Sequence, residues 1–157
     1  MRIGNCGIYG QRTDEIAARL DDCARGADVL VVQGGINDIA QGCAVERAAE
    51  NLRAMVRRGK ELGLRVVLVD VLPWNNGWPE AEREIRRLNA LIGDVARGEG
   101  VPLLPFHDTL ENPNRPGRMR EEWTSDGDHP SEEGYRLLGA VVVRGLTPKG
   151  SDRSSSL

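Results

Sequence analysis

The chain is short of several things that whole classes of protein need. It has no excess of positive charge: 21 Lys and Arg stand against 24 Asp and Glu, a formal charge of −3, so there is no basic field to gather nucleic acid. No apolar run approaches the roughly 20 residues of a membrane span. The three cysteines, Cys6, Cys23 and Cys43, are odd in number and lack Cys-x-x-Cys spacing. They indicate neither a disulfide framework nor a zinc site, and are expected to be reduced and structural. His, Cys and carboxylates do not cluster at ligand spacing along the chain, so no metal and no organic cofactor is expected. No signal peptide precedes Ile3, which favours a cytoplasmic location if residue 1 is the natural start. No internal repeat is visible.

What is present reads as one domain. At 157 residues a chain buries roughly 68–70% of its unfolded surface, enough for a real core. Residues 28–33 and 64–70 are β-branched, apolar runs, and Val101 to Leu104 is a shorter one. Between them lie amphipathic stretches. Thr13 stands as a helix cap ahead of Ile16, Leu20, Cys23 and Ala24. Ala44, Ala48, Leu52, Met55 and Val56 follow at helical spacing down to Gly59 and Gly63. Pro79 suits a first helical position before Ala81, Ile85, Leu88, Ile92 and Val95, with Glu82 and Arg86 paired four apart on the solvent side. Ser131 opens a last helix with Tyr135, Leu138, Val142 and Leu146 at core spacing. Residues 105–125 form a long polar segment with little periodicity, the kind of loop that is usually functional or mobile. Alternating strands and helices predict an α/β fold, a parallel sheet with helices on both faces. The domain is expected to cover residues 1–147, followed by a polar tail at 148–157.

Two stretches carry chemistry. Gly34-Gly35-Ile36-Asn37-Asp38 follows a buried strand, at the sheet end where α/β proteins place ligands. Its glycines allow close backbone approach to a ligand, Asn37 offers an amide donor, and Asp38 can brace the loop by accepting backbone N–H groups. Asn37 as a cap of the next helix is the plainer alternative. The second stretch is Ser125-Asp126-Gly127-Asp128-His129-Pro130. An Asp that accepts the Nδ1 proton of His129 fixes its tautomer and frees Nε2 as a general base. A surface turn with local bonds from Asp126 and Asp128 is the alternative there.

Taken with Asn5-Cys6-Gly7-Ile8-Tyr9-Gly10, these stretches resemble the SGNH (GDSL-type) hydrolases, a family of esterases and lipases with a flavodoxin-like three-layer fold. The family's N-x-G-I-x-G block matches residues 5–10, its GxND block matches Gly35-Ile36-Asn37-Asp38, and its DxxH block matches Asp126 to His129. The resemblance implies that Gly10 (backbone N–H) and Asn37 (side chain) form an oxyanion hole, that Asp126 orients, and that His129 is general base and acid. The family's first block, a strand ending in Gly-Asp-Ser that carries the nucleophile and belongs near the middle of the sheet, is absent from this chain.

Three substitutes for that serine present themselves. Aligning Gly4-Asn5-Cys6 with Gly-Asp-Ser would make Cys6 a thiol nucleophile, at the cost of the better match of residues 5–14 to the second block. Ser125 and Ser131 read as turn and cap residues. Gly150-Ser151-Asp152 has no apolar strand before it. Three explanations follow: a chain shorter than the natural protein, a strand supplied by a partner in a homo-oligomer that completes the sheet, or a His129-activated water in place of serine. The expected activity is hydrolysis of small carboxylic esters, and the expected partner a small-molecule ester; a non-catalytic module binding an acylated or carbohydrate ligand in the same cleft is the competing class. Ile36, Trp74 and Trp78 are the candidates to wall an acyl pocket, the tryptophans serving otherwise as cover for the sheet end. Arg115, Arg118 and Arg120 read as a solvated loop or as an attraction for anionic substrate.

Overall fold

The computed structural model describes residues 3–147. The tail at 148–157, with Gly150-Ser151-Asp152, lies outside the described residues. In chain order come α1 (Thr13–Ala18), α2 (Leu20–Cys23), β1 (Val29–Val32), α3 (Ile36–Ala40), α4 (Val45–Glu61) and β2 (Arg65–Val69). Then follow α5 (Ala81–Glu99), β3 (Leu103–Leu104), α6 (Phe106–Leu110), the strands β4 (Glu111–Asn112) and β5 (Arg115–Met119), a 3₁₀ turn (Glu121–Trp123) and α7 (Glu132–Leu146).

The three main strands form a parallel sheet in the order β1-β2-β3, with Val31 opposite Val67 and Leu68 opposite Leu103. Strand alternation divides the core. Val66 and Leu68 point to one face, packing with α4 and α5 through Leu52, Met55, Ile85 and Leu88. Val67 and Val69 point to the other, against Leu104, Phe106, Leu110, Met119 and, from α7, Leu138 and Val141. Helices therefore cover both faces, as expected of the α/β fold. Among the described residues no strand pairs with the outer edge of β1, and Val31 there is 40% exposed. No described helix is long and apolar enough to cross a membrane.

Several local expectations change. Thr13 is not the cap of α1 but its first, fully buried residue, with Arg12 before it, because Asp38 engages both its amide and its hydroxyl. Pro79 precedes α5 by two residues and lies in a turn closed by Ala81 N–H on Trp78 O, 2.9 Å. The polar segment at 105–125 is folded rather than loop: Phe106 and Leu110 are buried on the single turn and a half of α6 and Met119 on β5, elements too short for their periodicity to stand out. In α7 the buried positions are Gly134, Leu138 and Val141, while Tyr135 is 59% exposed. Gly134 sits so close to the Trp123 carbonyl that a Cβ would lie 2.4 Å from it, and this contact rotates Tyr135 outward.

The cysteines also differ from expectation. Cys6 and Cys23 form a disulfide with their Cα atoms 5.9 Å apart, leaving Cys43 as the free thiol. Their separation of 17 residues hid the pairing: Gly10, at φ +78°, turns the extended N-terminal segment back along α1 and α2.

Candidate active site

His129 sits on the loop between the 3₁₀ turn and α7, held from both sides. Its Nδ1 lies 2.8 Å from Asp126 Oδ2. The other oxygen, Asp126 Oδ1, accepts the backbone N–H groups of Asp128 and His129, each at 2.8 Å. The imidazole contact, followed by those two backbone donors, holds the Asp126 carboxyl at about 2. An ionised carboxylate at Nδ1 selects the tautomer with its lone pair on Nε2. No hydrogen bond to Nε2 exists among the described residues, and the His129 side chain is about half exposed.

The loop owes its shape to neighbours that the sequence did not single out. Thr124 Oγ1 donates to the His129 carbonyl and accepts the Gly127 N–H. Asn75 N–H donates to Gly127 O at 2.9 Å, and Asn76 Nδ2 donates to Asp126 O at 2.8 Å. Gly127, at φ +89°, fits against the Asn76 side chain where a Cβ would strike it at 2.7 Å. Trp74 Nε1 donates to Asp128 Oδ1, with the Trp78 ring edge-on to it at 5.3 Å. The residue 73–78 loop is thus a cradle for the histidine loop. Ser131 caps α7 by accepting the Gly134 N–H and donating to Glu122 O. Arg118 donates to the carbonyls of Trp74 and Asn75 and so braces this cradle, while Arg120 lies over the Trp123 ring at 4.7 Å.

On the other side, Asn37 lies in the first turn of α3 and donates through Nδ2 to Gln11 O, 3.0 Å. A primary amide has two N–H donors, and the second has no partner among the described residues. Asp38 is buried, and braces not its own loop but α1: Oδ2 accepts Thr13 N–H at 2.9 Å and Oδ1 accepts Thr13 Oγ1 at 2.7 Å, with Asn51 Nδ2 donating to the same hydroxyl at 3.0 Å. The glycines before it are packed closely against the core. A Cβ on Gly34 would meet Ile16 at 3.0 Å, and one on Gly35, at φ +121°, would meet Leu88 at 2.5 Å. Gly10 N–H makes no hydrogen bond among the described residues, while its carbonyl takes a long bond of 3.4 Å from Gln41 Nε2. Ile36 packs on the core cluster beside α4 and α5.

The three blocks meet in space. The Tyr9 ring, adjoining Gly10, lies 6.4 Å from the His129 ring, and Asn37 ties the segment after Gly10 to α3. Residues 2–137 match the GDSL-like Lipase/Acylhydrolase family. The chain belongs to that family. It is 29% identical over 133 residues to the esterase TesA of Pseudomonas aeruginosa, covering 83% of this chain and 62% of TesA. This GDSL-like chain therefore spans less than two thirds of that curated relative's length. Among solved structures, a GDSL-like lipase from Bacteroides thetaiotaomicron matches with TM-score 0.79 and 25% identity, covering 88% of this chain and 72% of the other. A crystal structure of TesA matches with TM-score 0.75 and 26% identity, covering 94% and 78%.

Two further features bear on this GDSL-like site. Cys6 is in a disulfide, which removes it as a thiol nucleophile. Beside the histidine loop lies an apolar groove of about 270 Å³, lined by Gln33, Leu72, Phe106, Pro130, Tyr135 and Val142 among others. It opens on the same face as the exposed Val31.

Proposed function

We propose that the chain is a carboxylic ester hydrolase acting on small acyl esters. In this reading Asp126 orients, and His129 Nε2 takes the proton of the attacking oxygen and returns it to the departing alkoxide. The Gly10 N–H and the spare Asn37 N–H receive the negative oxygen of the tetrahedral intermediate. The observation that carries this is the 2.8 Å Asp126–His129 contact within a loop whose other oxygen is saturated by backbone donors. The nucleophile is either a His129-activated water or a serine on a strand, absent from this chain, that would pair with the outer edge of β1; a second copy of this chain could cover that edge but would not supply the serine. The apolar groove, together with Ile36, Trp74 and Trp78, is the proposed wall for the acyl group. The Cys6–Cys23 disulfide supports an oxidising compartment rather than the cytoplasm.

The second reading is a module that holds an acylated or carbohydrate ligand without turning it over. It is favoured by the lack, among the described residues, of any hydroxyl hydrogen-bonded to His129 Nε2. Turnover of a short p-nitrophenyl ester separates the two. His129→Ala should lower the rate by roughly 10²–10⁴-fold if the imidazole acts as general base, and equal rates in the two proteins would overturn the hydrolase mechanism. A fluorophosphonate that adds mass to the chain identifies a nucleophile within it; turnover with no added mass identifies water. Oxyanion binding alone leaves serine enzymes roughly 10³–10⁴-fold above water, so the His129→Ala ratio, not the bare presence of turnover, decides.

A further inference from the structure

A second cluster of reactive side chains lies outside the Asp126–His129 loop. Glu82 on α5, His107 on α6 and Glu111 on β4 each bring one ligand-type atom within 4.8 Å of the others. The sequence separations of 25 and 4 residues concealed the group. His107 is only 3% exposed, yet its Nε2 has no hydrogen-bond partner among the described residues, and of the buried Glu82 carboxylate only Oε1 has a partner, the Arg86 guanidinium. Leaving such groups without partners is costly. Burial confines the His107 ring; its backbone N–H is held by Asp70 Oδ1 at 2.8 Å, and its Nδ1 lies 3.6 Å from Asp108 Oδ1, beyond hydrogen-bond distance. That leaves Nε2 for something else.

Arg86 accounts for only part of the charge. Its guanidinium pairs with Glu82 and, at 2.5 Å, with Glu111 Oε1, which also accepts the Gly117 N–H at 2.6 Å. One guanidinium against two carboxylates leaves the cluster net negative. Gly117 is pressed against Glu82 so closely that a Cβ would lie 2.5 Å from it, so the hairpin closes one side. The other side adjoins a cavity of about 150 Å³ lined by Asp70, Arg86, Asn89, His107 and Asp108, a route for a small ion.

We propose that Glu82, His107 and Glu111 form a binding site for one divalent transition-metal ion of the zinc class. One imidazole and two carboxylates suit such an ion, with water completing the shell, and the Asp108 carboxylate, 3.6 Å from the outer imidazole nitrogen, would need only a small shift to become the orienting partner usual for a metal-bound histidine. The ion would join α5, α6 and the β4–β5 hairpin, a structural role independent of ester hydrolysis.

The test is titration of the full chain with ZnCl₂, by calorimetry, metal content after desalting, and thermal unfolding, with MgCl₂ as the oxygen-preferring control. Expected are one Zn²⁺ per chain, a raised unfolding midpoint with zinc and not magnesium, and at least tenfold weaker binding in Glu82→Gln and Glu111→Gln. His129→Ala should bind as the unaltered chain does. Because buried His107→Gln can fail to fold, Arg86→Met provides a second arm. Removing the competing guanidinium should lower metal-free stability and increase the gain on adding zinc. No retained zinc, retention unchanged by Glu82→Gln and Glu111→Gln, loss of zinc in His129→Ala, or an Arg86→Met protein that zinc does not restore would each overturn the site.

Discussion

At the scale of single residues, two carboxylates do opposite jobs with the same chemistry. Asp126 is exposed and ionised, held at about 2 against a usual 3.8 chiefly by the His129 imidazole. A depressed carboxylate stabilises the fold at pH above its unfolded value and ceases to do so as pH falls through the folded one. Asp126→Asn should therefore be less stable than the unaltered protein above pH 4, with the gap closing as pH falls from about 4 to about 2. Denaturant midpoints measured across that window check it, and a gap that stays constant would refute the assignment. Asp38 is buried and spends both oxygens on Thr13. Asp38→Ala leaves a buried N–H and hydroxyl without that acceptor, a loss of roughly 1–3 kcal/mol, read as a thermal midpoint several degrees lower.

Among the elements, α1 and α2 show how a weak piece is secured. Each is too short to persist alone. Asp38 and Asn51 hold the first end, and the Cys6–Cys23 disulfide, with Arg19 donating to Cys6 O and Gln11 Oε1, holds the other. A cross-link over 17 residues contributes about 3 kcal/mol by chain entropy. Reductant, or paired Cys6→Ser and Cys23→Ser, should lower the unfolding midpoint accordingly; mass analysis after alkylation with and without reductant confirms the bond itself. The same elements carry Tyr9 and Gly10 to the histidine loop, so reduction should also slow any ester turnover.

For the whole molecule, the open edge of β1 matters most. A three-stranded parallel sheet with an apolar residue at its edge and a groove beside it is a template for another strand. If a second copy completes the sheet, light scattering after gel filtration should give more than one chain per particle. Val31→Lys, a charge on that edge, should then return the protein to a monomer while changing its folding stability by no more than about 0.5 kcal/mol, as for most exposed substitutions. A monomeric unaltered protein would refute assembly through this edge.

The α/β class, the strand sites, α4, α5 and the Asp126–His129 pairing are legible in the sequence because each rests on short-range periodicity or on residues three apart. α7 is legible in extent but not in rotation, which Gly134 against the Trp123 carbonyl decides. The folded segment at 105–125, the disulfide, the Thr13–Asp38 brace, the Asn75–Asn76 cradle and the Glu82–His107–Glu111 cluster are not legible, since each rests on elements too short to show a period or on contacts between residues far apart in the chain. By itself the sequence determined which residues could do chemistry, through the character of their side chains and near neighbours. Only the tertiary structure decided which of them meet, because packing closes long loops to satisfy buried polar groups, and no local pattern records that closure.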